Sequence, residues 1–233
     1  MIPDAKVSFF NETYVVRDDL IAGGTKRSFV DKLLVGNKEV VYASPVYGGA
    51  QIAIAHAAKS LNIDATIICA KRNKPHSRTL EAYKAGAKII QVPHGYLSNI
   101  KSKAKKYCNL TGATLLPFGL ESDIALKAIS LRASKVQEQI GNLDEVWCVA
   151  GSGVLARGLQ HGIKAKHFNV VQIGRTLSKR DVGEANLFVH KLDFAQDAKI
   201  KPPFPSCSNY DAKAWEYVIK YGKGRKLFWN VMA

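Results

Sequence analysis

Alternation between short β-branched runs and longer stretches of helical spacing constrains this chain more than any other feature. Residues 39–43, 64–69, 88–92, 145–150 and 169–173 are compact apolar runs rich in Val and Ile, the composition of strands buried on both faces. Helical patterns occupy 49–61, 77–85, 122–140 and 154–163. Strand followed by helix, repeated, predicts an α/β fold with parallel sheet covered by helices on both faces. Its crossovers are expected to be right-handed, with ligands beyond the carboxyl ends of the strands. No internal repeat, low-complexity tract or Ser/Gly/Pro linker divides the sequence. Residues 1–233 are therefore expected to form a single compact unit built from two closely packed α/β lobes, a small one over about residues 40–125 and a large one from the remainder. With 233 residues, 47% of them apolar, the chain is long enough to bury a sizeable core, and fibrous or largely disordered readings are excluded.

No apolar stretch reaches the roughly 20 residues of a membrane-spanning helix, and Met1-Ile2-Pro3-Asp4 is not a basic segment leading into an apolar one. The expectation is a cytoplasmic protein without a membrane partner, the cytoplasm of a viral host cell included. Cys69, Cys108, Cys148 and Cys207 are far apart and show no Cys-x-x-Cys spacing, which predicts reduced, mostly buried thiols. The six histidines (His56, His76, His94, His161, His167, His190) include no pair at ligand spacing with a nearby carboxylate, so no metal site is predicted. The absence of a Gly-x-Ser-x-Gly elbow argues against a serine hydrolase.

Charge is the unusual bulk property: 34 Lys and Arg against 19 Asp and Glu leave +15. Basic residues concentrate in 71–78 (Lys71, Arg72, Lys74, Arg78), in 101–106 (Lys101, Lys103, Lys105, Lys106), at Lys179-Arg180 and in 223–226. Each cluster reads as a loop or an exposed helix face. The two readings are a nucleic-acid partner and a solvated surface of a basic protein.

A strand over 145–150 runs into Gly151-Ser152-Gly153 and then into a helix that opens at Val154. Glycines let the backbone bend close to a phosphate, while free N–H groups and the helix dipole favour its charge. The alternatives are a plain tight turn and, because Gly151, Gly153 and Ala156 satisfy G-x-G-x-x-A, a dinucleotide fingerprint. No acidic residue ends the next strand to hold a ribose, although Arg175 is placed to receive a 2′-phosphate. Near the amino end, the paired Gly23 and Gly24 introduce Thr25 and Lys26 at the head of an expected helix. A lysine under such backbone control suits Schiff-base chemistry with an aldehyde cofactor; the alternative is a surface lysine after a loop.

The order of these segments resembles the fold-type II pyridoxal-phosphate enzymes, the tryptophan synthase β-like superfamily, and within it the D-cysteine desulfhydrase and aminocyclopropane-carboxylate deaminase branch. Arg17-Asp18-Asp19 with Gly23-Gly24-Thr25-Lys26-Arg27 is similar to the family's acidic approach and Gly-Gly-Asn-Lys-x-Arg. Ala43-Ser44, followed by the alanine-rich helix from Gly49, is similar to its serine turn. Glu81-Ala82-Tyr83-Lys84-Ala85-Gly86, Leu116-Pro117-Phe118-Gly119 and Gly151-Ser152-Gly153 resemble later segments, the last its phosphate loop. The resemblance spans about residues 15 to 175. It implies pyridoxal 5′-phosphate as cofactor, Lys26 as the lysine that carries it, a phosphate site at Gly151, Ser152, Gly153 and Val154, and a homodimer. The chain is about a hundred residues shorter than common members, as expected if one lobe is trimmed.

Two departures stand out. Where the family places an Asn against the ring oxygen, this chain reads Ser44-Pro45-Val46-Tyr47-Gly48-Gly49, with Gly49 or a neighbour at that position and Tyr47 either contacting the ring or packing. Where a late family strand presents a hydroxyl to the pyridine nitrogen, this chain offers Asn230, with Ser206, Cys207 and Ser208 as rivals. A neutral partner there weakens the electron sink and favours elimination over transamination. The resemblance thus implies a lyase that breaks a bond at the α-carbon of an amino-acid-like amine by elimination, deamination or decarboxylation. The charge suggests an alternative substrate, an amino-acid group attached to a nucleic-acid base as in viral DNA hypermodification. A third possibility is a non-catalytic phosphate- or nucleic-acid-binding module on the same fold.

Overall fold

The computed structural model describes residues 4–93 and 96–233; His94 and the first three residues, read above from sequence, lie outside the described residues. In chain order the strands are β1 (Val7–Phe10), β2 (Thr13–Arg17), β3 (Glu39–Ala43), β4 (Asp64–Ala70), β5 (Lys88–Val92), β6 (Thr114–Leu115), β7 (Leu143–Ala150), β8 (Ala165–Gln172), β9 (Asn186–Val189) and β10 (Lys226–Asn230). The helices are α1 (Val30–Leu34), α2 (Ala50–Leu61), α3 (Ser77–Lys84), α4 (Leu97–Thr111), α5 (Asp123–Ile140), α6 (Val154–Gly162), α7 (Lys179–Val182) and α8 (Asp211–Tyr221). The chain divides into two units, residues 26–121 and residues 1–25 with 122–233.

The larger unit holds a six-stranded sheet in the order β1-β2-β10-β7-β8-β9. All its pairings are parallel except the β1–β2 hairpin, which departs from the all-parallel expectation. That hairpin turns through Asn11 and Glu12, both at positive φ (45° and 56°), the conformation that matches the twist of a two-residue connection. The central strands β7 and β10 are almost wholly buried, with Val146, Trp147, Leu227, Phe228 and Trp229 at most 1% exposed. Ser122 caps α5 by accepting the Ala125 N–H at 3.1 Å. Helices α5 and α6 pack very closely: a Cβ on Gly162 would fall 2.2 Å from the Ser130 carbonyl oxygen. Phe204, Trp215 and Phe228 form an aromatic cluster between α8 and β10.

The smaller unit is a parallel sheet ordered β5-β4-β3-β6. The alanine-rich α2 buries Ile52, Ala53, Ile54 and Ala55, and α4 sets Ile100 and Ala104 against Val41, Ala43 and Ile68. Burial pushes the Tyr42 hydroxyl up to about 12, while its hydrogen bond from the Gly119 N–H at 3.3 Å acts the other way. Because β3 and β4 are adjacent and parallel, the loops that follow them leave the same edge of the sheet. No helix among the described residues is long and apolar enough to cross a membrane.

Candidate functional site

The approach to Lys26 is fastened to the end of β10. Asp18, fully buried, receives the Arg132 guanidinium (Nη2 to Oδ1, 2.6 Å) and the Trp229 indole N–H (3.0 Å). The same indole N–H lies 3.0 Å from Thr25 Oγ1, and the Thr25 N–H donates to the Val231 carbonyl at 3.1 Å. Asp19 is clasped by Arg17 through two bonds of 2.8 Å and accepts Asn230 Nδ2 at 2.7 Å. Gly24 is required here: its φ is +67°, and a Cβ would sit 2.2 Å from the Val231 carbonyl oxygen. Lys26 follows at once, half-buried, inside the tight helical turn Gly24–Ser28. Helix α1 begins only at Val30, so the lysine sits in a 3₁₀ turn rather than at the head of a helix.

Strand β7 leads into Gly151, Ser152 and Gly153. Gly153 is the N-cap of α6 at φ +85°, with no side chain capping the helix; a Cβ there would meet the Asp181 carbonyl oxygen at 1.9 Å. The first amides of α6 are therefore not answered by a capping side chain, the arrangement an oxyanion can use. Val154 is buried and Ser152 is half-buried. Behind the turn, the Tyr210 hydroxyl is hydrogen-bonded to the Gly151 backbone, and burial, with the neighbouring Asp211 charge, pushes its ionisation well above the usual range. Hydrogen bonds from Ser178, with the charge of Arg175 adding, hold the Asp181 carboxyl below its ordinary range. Arg175 is thus engaged in an ion pair with Asp181, not held open for the 2′-phosphate that a phosphorylated dinucleotide would bring.

In the smaller unit, Ser44 is fully buried and its N–H donates to the Ile68 carbonyl at 2.9 Å. Gln51 ties the serine turn through Nε2 to the carbonyls of Val46 (3.1 Å) and Gly48 (3.0 Å), and Gly49 is the N-cap of α2. The Arg72 guanidinium lies 4.8 Å from the centre of the Tyr47 ring, and His76 meets the same ring edge-on at 4.9 Å. Burial lowers the His76 imidazole, with Arg78 and Arg72 adding to the effect. Two residues assigned by sequence to different roles, Tyr47 and Arg72, are thus one cluster at the carboxyl edge of the sheet.

Asn230 is fully buried. Both of its amide N–H groups are engaged, by Asp19 and by the Pro205 carbonyl at 2.9 Å, and its Oδ1 accepts the Ser206 hydroxyl at 2.9 Å. Cys207 is buried against Asn209, and Ser208 bonds Asp197 at 2.7 Å. Ser206 is therefore the hydroxyl that Asn230 positions.

Of the basic candidates, Lys71, Arg72, Lys74, Lys101, Lys103, Lys105 and Lys106 are exposed. Arg78 is not: it lies in the first turn of α3, one turn before the fully buried Ala82, and faces inward. Lys101 and Lys105, with Ser98, Ser102 and Phe118, line a cavity of about 520 Å³ beside α4. All four cysteines are free; three are buried and Cys108 is half-buried. No group of three or more His, Cys, Asp or Glu side chains among the described residues is placed to hold a metal ion.

What sequence reasoning missed is the support: Arg132, Trp229 and Tyr210 each act on a segment distant in the chain, and Gln51 holds the turn just before its own helix.

No family model matches the sequence, and no curated protein matches it. Solved structures do share its fold. An ACC deaminase homologue superposes over 98% of this chain and 88% of its own, at a TM-score of 0.79 and 16% identity. An O-ureido-L-serine synthase gives 0.72 over 94% and 83%, at 12% identity. The apo form of Escherichia coli diaminopropionate ammonia lyase gives 0.67 over 94% and 78%, at 13% identity. The chain has the tryptophan synthase β-like fold, that of the fold-type II pyridoxal-phosphate enzymes.

Proposed function

We propose that this protein is a pyridoxal 5′-phosphate-dependent enzyme acting on amino-acid-like amines, with lyase chemistry at the α-carbon. The observation that carries the reading is the fastening of the turn before Lys26, where Asp18, Thr25 and Gly24 are locked to Trp229 and Val231. A surface lysine after a loop would need none of this. Gly151, Ser152, Gly153 and Val154 would hold the cofactor phosphate, because no side chain caps α6 there. Ser44, Tyr47 and Gly49 would border the ring, and Ser206, set by Asn230, would face its nitrogen. When bound, this cofactor draws electrons from the α-carbon of an amine joined to it. The Lys26 amine would be the base that removes or returns the α-proton. Ser206 and Asn230 are themselves neutral, and the Asp19 carboxylate bound to Asn230 is paired with Arg17, which suits elimination or deamination rather than transamination. The deaminase and ammonia-lyase structures that share the fold support the same class.

The test is a spectrum and a label. Protein saturated with cofactor is expected to absorb near roughly 410–430 nm, and borohydride reduction followed by peptide mapping is expected to mark Lys26. If no lysine is labelled, the reading is wrong, and a non-catalytic phosphate-binding module takes its place.

A second reading, an amino-acid group carried on a nucleic-acid base, is favoured by the four exposed lysines of α4 and the basic cavity beside them. Lys71, Arg72 and Lys74 would add phosphate contacts. Binding of DNA or RNA should then weaken steeply with salt; no affinity in a filter assay at the lowest ionic strength would remove this reading.

A further inference from the structure

The β9 edge of the larger unit carries a feature that the proposed chemistry does not use. Helix α8 and the segment following β9 enclose a cavity of about 340 Å³, whose lining includes Lys191, Lys199, Lys220, Tyr217 and Tyr221. Cavities that enclose small molecules start at about this size. All three lysines are exposed.

Among the described residues that line the cavity, Glu216 is the one carboxylate, and it is already committed. Its Oε1 accepts the backbone N–H groups of Lys199 and Ile200, and its Oε2 lies 3.3 Å from His190 Nε2. His190 Nδ1 accepts the Leu192 N–H at 3.0 Å, so this nitrogen carries no proton and the ring donates from Nε2 to Glu216. The imidazole braces the Glu216 carboxylate, and the three lysines outnumber that one negative charge in the lining.

The other wall is aromatic and graded. Buried Trp147 lies against Phe188 with ring centres 5.3 Å apart and planes 27° apart, and Phe188 lies against Tyr221 at 5.9 Å and 18°. Tyr217 closes on both at 5.7 Å. The series ends at Tyr221, which is 44% exposed, with Lys220 Nζ 5.0 Å from its ring centre. Lysines alone would serve any anion. An exposed ring that continues a stack, inside the same cavity, selects an anion that also carries a flat aromatic group.

We infer that this cavity binds a nucleotide unit, free or within a single strand. Its base extends the stack at Tyr221, and its phosphate meets Lys191, Lys199 and Lys220. Base stacking on an aromatic side chain and phosphate attraction are the two halves of such recognition. The inference is independent of Lys26 and of the cofactor.

The test titrates the full chain with ADP, with (dT)12 and with inorganic pyrophosphate by calorimetry. Tyr221→Ala should weaken ADP about five-fold or more while leaving pyrophosphate unchanged. The charge reversal Lys191→Glu with Lys220→Glu should weaken both at least about ten-fold. Lys59→Glu with Lys84→Glu, exposed on α2 and α3 of the smaller unit, should leave ADP binding unchanged. ADP bound as tightly as one nucleotide of (dT)12 identifies a free nucleotide as the ligand, and a strand bound far more tightly than ADP identifies a nucleic acid. ADP binding no better than pyrophosphate, or an ADP affinity indifferent to Tyr221→Ala or to the Lys191/Lys220 reversal, overturns the proposal.

Discussion

Asp18 and Arg132, 114 residues apart in sequence, meet as an ion pair 2.6 Å long inside the larger unit. Neither reaches solvent appreciably, since Asp18 is 0% and Arg132 9% exposed. Charges removed from water gain little net stability by pairing, yet either one left alone is costly. The pair therefore acts as a constraint: it fixes the turn whose next residues are Thr25 and Lys26.

Arg132→Leu is expected to destabilise the protein by about 3–5 kcal/mol, because it leaves the Asp18 carboxylate buried without its counter-charge. Asp18→Asn combined with Arg132→Leu should cost less than the sum of the two single changes, because the residues are in contact. Urea unfolding of the four proteins measures this. Additive losses would show that the two side chains do not depend on each other.

Gly153→Ala tests the bend before α6. The substitution places a methyl group where the Asp181 backbone stands and holds alanine at φ +85°, a conformation costing about 1–2 kcal/mol before any clash. The loop must shift, and the amides at the head of α6 must move with it. Cofactor phosphate affinity, measured by equilibrium dialysis, is expected to fall at least about ten-fold. Ser152→Ala removes only one hydroxyl, whose hydrogen bond to a charged phosphate is worth about 1.5–3 kcal/mol, and leaves the backbone amides in place. Undiminished cofactor affinity in Gly153→Ala would argue that the bend is a plain turn.

Strand periodicity made the frame of the fold readable in the sequence, and it did so best where strands are buried on both faces. Residues 39–43 and 88–92 coincide with β3 and β5, and the glycine bend falls where β7 meets α6. Helix α4 reads in the sequence only as a loop or an exposed helix face over 101–106, because its buried stripe is narrow, only Ile100 and Ala104 among many lysines and polar residues. The β1–β2 hairpin was hidden because its turn is Asn-Glu, without the glycine that usually marks such a connection. The candidate site residues divide the same way. Lys26 and Gly153 sit in local motifs, whereas Trp229 gains its role from Asp18, 211 residues away. Nothing in the local sequence around Trp229 encodes that partner.

Alkaline pH supplies a test of the core around the glycine bend. Burial pushes the Cys148 thiol up to about 12 from a reference value of 9.0, with the Asp211 charge adding. Between those values the unfolded chain releases the thiol proton while the folded protein keeps it. The stability tied to this group is therefore complete below pH 9 and is lost as pH rises toward 12, by at most about 1.4 kcal/mol per pH unit. Lys213 works in the opposite sense. Burial lowers its ammonium below the usual 10.5, so the folded protein gives up that proton first and gains stability as pH rises toward 10.5. The informative quantity is thus the difference between wild type and Cys148→Ala, not either curve alone. Urea unfolding at pH 8, 9, 10 and 11 should show the two proteins running parallel below pH 9 and wild type falling more steeply above it. Parallel curves throughout would mean that water reaches Cys148 and that the strand leading into Gly151 is not the closed core described above.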